Sequence, residues 1–190
     1  IEAGSITEIR TAAVSALATD MMAPPECAVL TILGSGAQAR SHLHAMCCVR
    51  DPSRVQIWSR TAAHAEAFAS WAGNEVDLEI HTFTTPDDAV AGAKLICTVP
   101  ATKEPIVHAE SLEPLCHVNA VGSFTPSARE LDTATISMAH LVADSRKSAL
   151  NEAGDILIPV SEGAIDEPHI RGALSELVEG SIPGRPAEAG

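Results

Sequence analysis

Short apolar runs alternate with amphipathic helical stretches along most of the chain. Residues 28–33 are almost continuously apolar and lead, through a glycine-containing turn, into residues 37–49, where Ala39, Leu43 and Met46 share one helical face. Because apolar strands that alternate with helices form crossovers, this order predicts a doubly wound parallel α/β sheet. Six strands are predicted, at residues 28–33, 55–58, 78–83, 95–99, 117–121 and 141–143.

Two further segments flank this alternating region, which we place at residues 22–145. In residues 1–21, Ser5 and Glu8 have the spacing of a capping box, and the apolar positions that follow recur at helical intervals, which predicts a helix beginning at Ser5. Residues 146–190 contain a helical stretch to residue 152 and a predicted helix around residues 170–178. We expect the flanking helices to pack on the central domain or on a part of the protein that this chain lacks.

Composition narrows the classes of function. The 190 residues include 25 acidic and 12 basic side chains, for a net charge of −13. Such a chain offers no basic stripe for nucleic acid and is disfavoured at anionic membranes. No apolar run approaches the roughly 20 residues that span a bilayer. The first residues lack a secretory signal, and five cysteines without a C-x-x-C pair favour a reducing, cytoplasmic setting.

The strongest chemical signal is the turn after the first strand. The sequence from Gly34 to Ala39, Gly-Ser-Gly-Ala-Gln-Ala, matches G-x-G-x-x-A between a strand and an amphipathic helix. In such a motif the first glycine permits a tight turn, and Gly36 lets the backbone approach a pyrophosphate at the helix N-terminus. The alternative is a plain strand–turn–helix with small packing residues. We predict a dinucleotide site that includes Ser35, Ala37 and Gln38.

The end of the second strand indicates which dinucleotide is bound. An NAD-selective site places a carboxylate there, whereas this chain has Ser59, Arg60 and Thr61. A guanidinium and two hydroxyls suit a 2′-phosphate. The residues therefore favour NADP(H), with NAD(H) possible, unless Arg60 only begins a surface helix.

Other residues offer fewer chemical roles. Arg10 lies early in the first helix with no carboxylate three or four positions away, so it is either a clamp for a substrate carboxylate or a solvated or tertiary-paired arginine. The histidines and cysteines form no metal-ligand pattern, and no activated nucleophile is visible. The catalytic proton donor stays unassigned.

Several separated motifs resemble the ornithine cyclodeaminase/mu-crystallin family. They are Ile-Thr-Glu-Ile-Arg-Thr-Ala-Ala at residues 6–13, the glycine motif at 34–39, Ile-Trp-Ser-Arg-Thr at 57–61, Asn-Ala-Val-Gly at 119–122 and Arg-Glu-Leu-Asp at 129–132. The resemblance runs from about residue 6 to residue 185.

The resemblance implies a Rossmann-type NAD(P)-binding domain, here residues 22–145. It further implies that residues 1–21 and 146–190 belong to a second, incomplete substrate and dimerisation domain. In that family the arginine that matches Arg10 holds the substrate carboxylate. The nicotinamide would be lined by the strand ends, here Thr98, Val99, Asn119, Val121 and Gly122.

Comparison of particular positions of this chain with the family indicates which of the family's activities to expect. Cyclodeaminases have an aspartate where this chain has Phe124, which cannot transfer a proton, so the lyase reaction is disfavoured. The segment at 59–61 resembles that of mu-crystallin-like ketimine reductases. We therefore expect NADPH-dependent reduction of a C=N bond in a small imino acid, by a protein that is a homodimer at full length.

Two alternatives stay open. One is an ornithine cyclodeaminase-type lyase or an alanine-type amino-acid dehydrogenase. The other is a non-catalytic protein that binds NADPH or a hormone. Family members have about a hundred further residues before the first helix, so we also expect this chain to be a fragment or a truncated paralogue.

Overall fold

The computed structural model of the chain describes residues 3–185 and contains a parallel sheet of five strands. The order in the sheet is β3-β2-β1-β4-β5, which puts the first strand at the centre and confirms the predicted doubly wound α/β fold. The strands are Val29–Leu33 (β1), Arg54–Trp58 (β2), Glu79–Phe83 (β3), Leu95–Thr98 (β4) and His117–Ala120 (β5).

Eight α-helices accompany the sheet in residues 3–185. The helix predicted at residues 37–49 is confirmed at both ends. The helices are Ala3–Met22 (α1), Ala37–Val49 (α2), Ala62–Glu75 (α3), Pro86–Val90 (α4), Thr133–Met138 (α5), Arg146–Glu152 (α6), Gly154–Ser161 (α7) and Leu174–Val178 (α8).

The start predicted for the first helix is wrong. The backbone is already helical at Ala3, so Ser5 lies inside α1 and is not its N-cap. Residues 1, 2 and 186–190, which belong to the predicted segments 1–21 and 146–190, lie outside the described residues.

The central strand is buried on both faces of the sheet. Successive side chains of a strand point to opposite faces. Accordingly, Leu30 packs with Leu43 of α2 and Phe68 of α3 on one side. Leu33 packs with Val90 of α4 and Ile136 of α5 on the other. Two apolar layers therefore fix the sheet between helices, as parallel sheets require.

The sixth predicted strand does not belong to this sheet. Leu141–Ala143 (β6) is a strand, but it pairs in parallel with Ile170–Ala173 (β7) in a separate two-stranded sheet. The helix predicted around residues 170–178 is also wrong in its first half, because that half is β7 and only Leu174–Val178 is helical. β6 and β7 therefore pair with each other, and neither pairs with β5.

Polar contacts fix α1 to the sheet domain. The ring nitrogen Nε2 of His42 lies 3.0 Å from Ser15 Oγ, and Asn119 Nδ2 donates to Thr19 Oγ1 at 2.9 Å. Arg50 donates to the backbone carbonyls of Thr19 (2.7 Å) and Ala23 (3.0 Å) at the end of the helix. Because these groups are largely buried, they set the position of α1 over the first crossover helix.

The C-terminal segment also returns to α1. Leu174 and Leu177 of α8 are buried against Met22, and Arg185 Nη1 donates to the Met22 carbonyl at 3.2 Å. Both flanking segments therefore contact one another beside the sheet. The division of the chain at residues 21 and 145 stays a prediction.

Candidate dinucleotide site

The turn at the carboxyl end of β1 requires glycine at position 34. Gly34 has φ of +129°, and a Cβ there would lie 3.0 Å from the backbone carbon and oxygen of Val99. The Gly34 N–H donates to the Trp58 carbonyl at 2.8 Å. Only glycine fits this backbone angle and this close approach, so the chain turns away from the sheet at the point that the motif predicts.

Gly36 is required by nothing inside the described structure. It is the N-cap of α2 with φ of −83°, a value that any residue adopts, and a Cβ there would meet no atom within 4 Å. Among residues 3–185, the backbone N–H groups of Ala37 and Gln38 have no acceptor. Free donors at the N-terminus of a 13-residue helix, with open space before them, fit an anion such as a pyrophosphate.

A cleft of about 350 Å³ lies in front of these donors. Glu8, Arg40 and Ser41, which also line it, were not predicted from the sequence. Glu8 comes from α1, whose docking over α2 is a long-range contact, whereas Arg40 and Ser41 lie in α2 just beyond the glycine motif. The Arg40 guanidinium lies 4.8 Å from the centroid of the Trp71 ring. The cleft is lined by Glu8, Ser35, Gly36, Ala37, Arg40 and Ser41.

The predicted residues after β2 lie beside this turn. Ser59 Oγ is 2.9 Å from Ser35 Oγ, so the two segments that the sequence assigned to one dinucleotide are in direct contact. Arg60 and Thr61 are exposed. The Arg60 guanidinium makes no ion pair within residues 3–185, so no carboxylate of this part of the chain neutralises its charge.

The predicted nicotinamide residues divide into two groups. Val99 and Val121 continue the sheet beyond its last strand positions, since their N–H groups donate to the carbonyls of Leu33 (2.9 Å) and Thr98 (3.0 Å). Asn119, in contrast, directs its amide into the interior, where it donates to Thr19. The Thr98 hydroxyl is fully buried and is also engaged by the protein.

Glu130 is the unexpected group at this end of the sheet. It is 1% exposed, and its Oε2 accepts hydrogen bonds from Thr98 Oγ1 and from the Gly122 N–H, both at 2.8 Å. Burial raises the pKa of Glu130 to about 8, and the negative charge of Asp155 acts in the same direction. The motif at residues 129–132 contained this glutamate, but nothing in the local sequence showed that it is buried.

His117 and Arg10 differ in their surroundings. Burial lowers the pKa of His117 to about 4, so the ring is neutral at physiological pH and lies 3.3 Å from the Asn119 amide oxygen. Arg10 is exposed on the side of α1 that also carries Ile6 and Ile9, and it does not line the cleft at Gly36. Its predicted contact with a substrate stays a prediction.

Residues 3–185 contain neither a membrane-spanning helix nor a cluster of metal ligands. No helix in this range is long and apolar enough to cross a bilayer. No group of three or more histidine, cysteine, aspartate or glutamate side chains in the same range is placed to hold a metal ion.

Known proteins match nearly the full length of this chain. The model of the ornithine cyclodeaminase/mu-crystallin family matches residues 1–189. The chain is 40% identical over 178 residues to the rat ketimine reductase mu-crystallin, covering 94% of this chain and 53% of that protein. It is 36% identical over 186 residues to a Delta(1)-pyrroline-2-carboxylate reductase of Bacillus cereus, covering 97% and 57%.

A solved structure agrees with these relatives. The Thermococcus litoralis Delta(1)-pyrroline-2-carboxylate reductase, in complex with NADH and L-proline, superposes with a TM-score of 0.91 at 34% identity. The match covers 95% of this chain and 56% of that one. The chain thus spans a little over half the length of the relatives it matches.

Proposed function

Because the chain belongs to the ornithine cyclodeaminase/mu-crystallin family, we propose that it binds NADPH at the turn after β1 and that the protein reduces the C=N bond of an imino acid. The observation that carries the proposal is the open space at Gly36 beside unpaired helix N–H groups. The two relatives named as reductases support the reduction, and the NADH complex of the structural neighbour supports a nicotinamide dinucleotide, while the choice of NADPH rests on Arg60.

Each part of the dinucleotide would contact its own set of the described residues. Ala37 and Gln38 would donate to the pyrophosphate, with the hydroxyls of Ser35 and Ser59 at its side. Arg60 would pair with the 2′-phosphate, and Thr61 would donate a hydroxyl to it. The strand ends from Thr98 to Gly122 would enclose the nicotinamide. When bound, the cofactor supplies the hydride that reduces the imine carbon.

The proposed preference for NADPH depends on a positive charge close to the site. The chain has a net charge of −13, and its distant charges are screened beyond about 8 Å at physiological ionic strength. A cofactor with four negative charges therefore needs a nearby cation. Arg60 is exposed at the end of β2, where the ribose of a bound dinucleotide would lie.

Replacement of Arg60 by glutamate should reverse the cofactor preference. A hydrogen bond to a charged group contributes about 1.5–3 kcal/mol, so Arg60→Glu should weaken NADPH binding about 10- to 100-fold. Binding of NADH should change little. Isothermal titration with NADPH and with NADH measures the ratio of the two dissociation constants.

The matched control is Arg171→Glu, which makes the same charge change at an exposed position of β7. It should leave the ratio of the two affinities unchanged. Unaltered NADPH selectivity in the Arg60 variant would remove the role given to this residue.

The substrate part of the proposal rests on Arg10. A guanidinium that holds the carboxylate of an imino acid would bring the imine carbon to the nicotinamide, and such positioning supplies much of the rate. Reduction adds a hydride to carbon and a proton to nitrogen. A protonated imine is already electrophilic, so the site does not need a strong general acid of its own.

The loss of this guanidinium should appear in the KM for the imino acid. Arg10→Gln should raise KM about tenfold or more, because one charge-assisted pair is removed, while nucleotide affinity stays as in the wild type. Arg171→Gln is the control. An unchanged KM in the Arg10 variant would exclude the clamp.

The reaction itself is tested by NADPH oxidation with Delta(1)-pyrroline-2-carboxylate. Because the chain covers little more than half of its relatives, both this chain and the complete product of its gene should be assayed. We expect turnover in the complete protein. Ammonia release from ornithine would instead indicate the lyase, NAD-dependent oxidation of alanine the dehydrogenase, and NADPH binding without turnover a binding protein.

One residue already favours the reductase over the lyase. Phe124, at the position where cyclodeaminases have an aspartate, is 71% exposed beyond β5 and carries no transferable proton. The homodimer of the full-length protein and its cytoplasmic location remain predictions.

A further inference from the structure

Glu130 connects two strand ends that come from distant parts of the chain. Its Oε2 accepts one hydrogen bond from the Thr98 hydroxyl, at the last position of β4, and one from the Gly122 N–H, two residues after β5. Both distances are 2.8 Å. One buried oxygen therefore holds together the two loops that leave the carboxyl edge of the sheet.

The other carboxyl oxygen has no partner. Glu130 Oε1 is buried without a hydrogen bond in the described structure. It lies directly over Gly122, where an added Cβ would come within 2.3 Å of Oε1 and 2.5 Å of the Pro100 carbonyl oxygen. Both oxygens border the same point beside Gly122, so among the described residues the surroundings of Oε1 include a carbonyl oxygen and no hydrogen-bond donor, which favours a protonated Oε1 over an ionised one.

The charged group that faces Glu130 is also an acid. Asp155, in the first turn of α7, accepts hydrogen bonds from the backbone N–H groups of Glu130 (2.8 Å) and Leu131 (2.9 Å) through Oδ1. Arg129 points elsewhere, with Nη1 3.6 Å from Glu162. No arginine, lysine or histidine forms an ion pair with Glu130 within residues 3–185. Burial without a counter-ion disfavours the charged carboxylate.

We propose that Glu130 is a positioning residue for the nicotinamide half of the dinucleotide site, and that it acts as a neutral acid which clamps Thr98 to Gly122. The inference rests on the proposed function, since it concerns the same site. Ionisation would place a negative charge against Asp155, the Pro100 carbonyl and the anionic cofactor. The clamp would then loosen, and nucleotide affinity would fall.

The test is the pH dependence of NADPH affinity. In the wild type, Kd should be level near pH 7 and rise about tenfold by about pH 9.5, because Glu130 ionises in this range. Glu130→Gln keeps a neutral side chain that accepts and donates, so its Kd should match the wild type near pH 7 and show no such rise. Glu130→Ala removes the clamp and should weaken binding at every pH.

Controls separate this inference from the proposed function. Glu152→Gln, at an exposed position of α6, should keep the wild-type pH profile. Circular dichroism at each pH records that the chain is folded, and the glutamine profile decides the matter even where the alanine variant does not fold. If the Kd for NADPH has the same pH dependence in the wild type and in Glu130→Gln, only the positioning role is overturned. No NADPH binding at any pH would overturn the proposed function as well.

Discussion

Gly36→Val should abolish most dinucleotide binding while lowering the free energy of unfolding by only about 1 kcal/mol, the cost of valine in place of glycine at an N-cap. The backbone at Gly36 is extended, with φ of −83°, and a Cβ there meets nothing within 4 Å, so a valine side chain enters open space. In the proposed site, that space is the path by which a pyrophosphate would reach the N–H groups of Ala37 and Gln38. We expect NADPH affinity to fall about 100-fold or more, measured by titration calorimetry.

The matched control is Gly73→Val in α3. This glycine also has open space around its missing Cβ, and it lies in a helix far along the chain from the turn. Valine is a better helix former than glycine, so this variant should be as stable as the wild type or slightly more stable, with full affinity. A Gly36→Val protein that is folded and binds NADPH normally would exclude the proposed pyrophosphate site.

Glu130→Gln should change the pH dependence of stability. The pKa of Glu130 is about 8 in the folded chain, against about 4.3 for an exposed glutamate. Between these pH values the folded chain keeps a proton that the unfolded chain has released. The free energy of unfolding of the wild type should therefore fall through this group as pH rises from about 4.3 to about 8, and then become level.

Glutamine has no proton to lose, so the variant should gain stability over the wild type as pH rises. The gain should reach on the order of a few kcal/mol between about pH 5 and about pH 8, as measured by urea unfolding. The buried His42 and the partly buried His117, whose pKa values are lowered by desolvation, act in the opposite direction at acidic pH, and their effects largely cancel when the two proteins are compared. Parallel stability curves for the two proteins would contradict a raised pKa at Glu130.

The sequence predicted the first crossover well because its signals are local. The apolar run before Gly34, the glycines themselves and the spacing of Leu43 and Met46 all lie within about twenty residues. They lead to the strand, the turn and the helix Ala37–Val49 without help from the rest of the chain. The N-cap at Thr85, whose Oγ1 accepts from the Asp88 N–H at 3.1 Å, is a local feature of the same kind.

The errors at the C-terminal end have a long-range cause. A three-residue apolar run such as Leu141–Ala143 does not reveal which sheet it joins. Ile170, Leu174 and Leu177 have helical spacing, yet Ile170–Ala173 is a strand because it pairs with β6. Close packing at Gly172, where a Cβ would come within 2.5 Å of the Ile182 side chain, also depends on a later residue.

Long-range contacts that the local sequence does not reveal also determine part of the site. The partners of Glu130 lie 8, 25 and 32 positions away along the chain, at Gly122, Asp155 and Thr98. A charged residue in a loop motif normally indicates exposure, so sequence alone gave no reason to bury this one. Residue types that suit a ligand, such as Arg60, are visible in a sequence, whereas the burial that changes a pKa is not.

The most direct test of the dinucleotide site is an NMR titration of the isotopically labelled chain with NADPH. If NADPH binds at this turn, saturable shifts should be largest for the backbone amides of Ser35, Gly36, Ala37 and Gln38, followed by those of Ser59 to Thr61. Shifts confined to other surfaces, or no shifts at saturating NADPH, would contradict the proposed site.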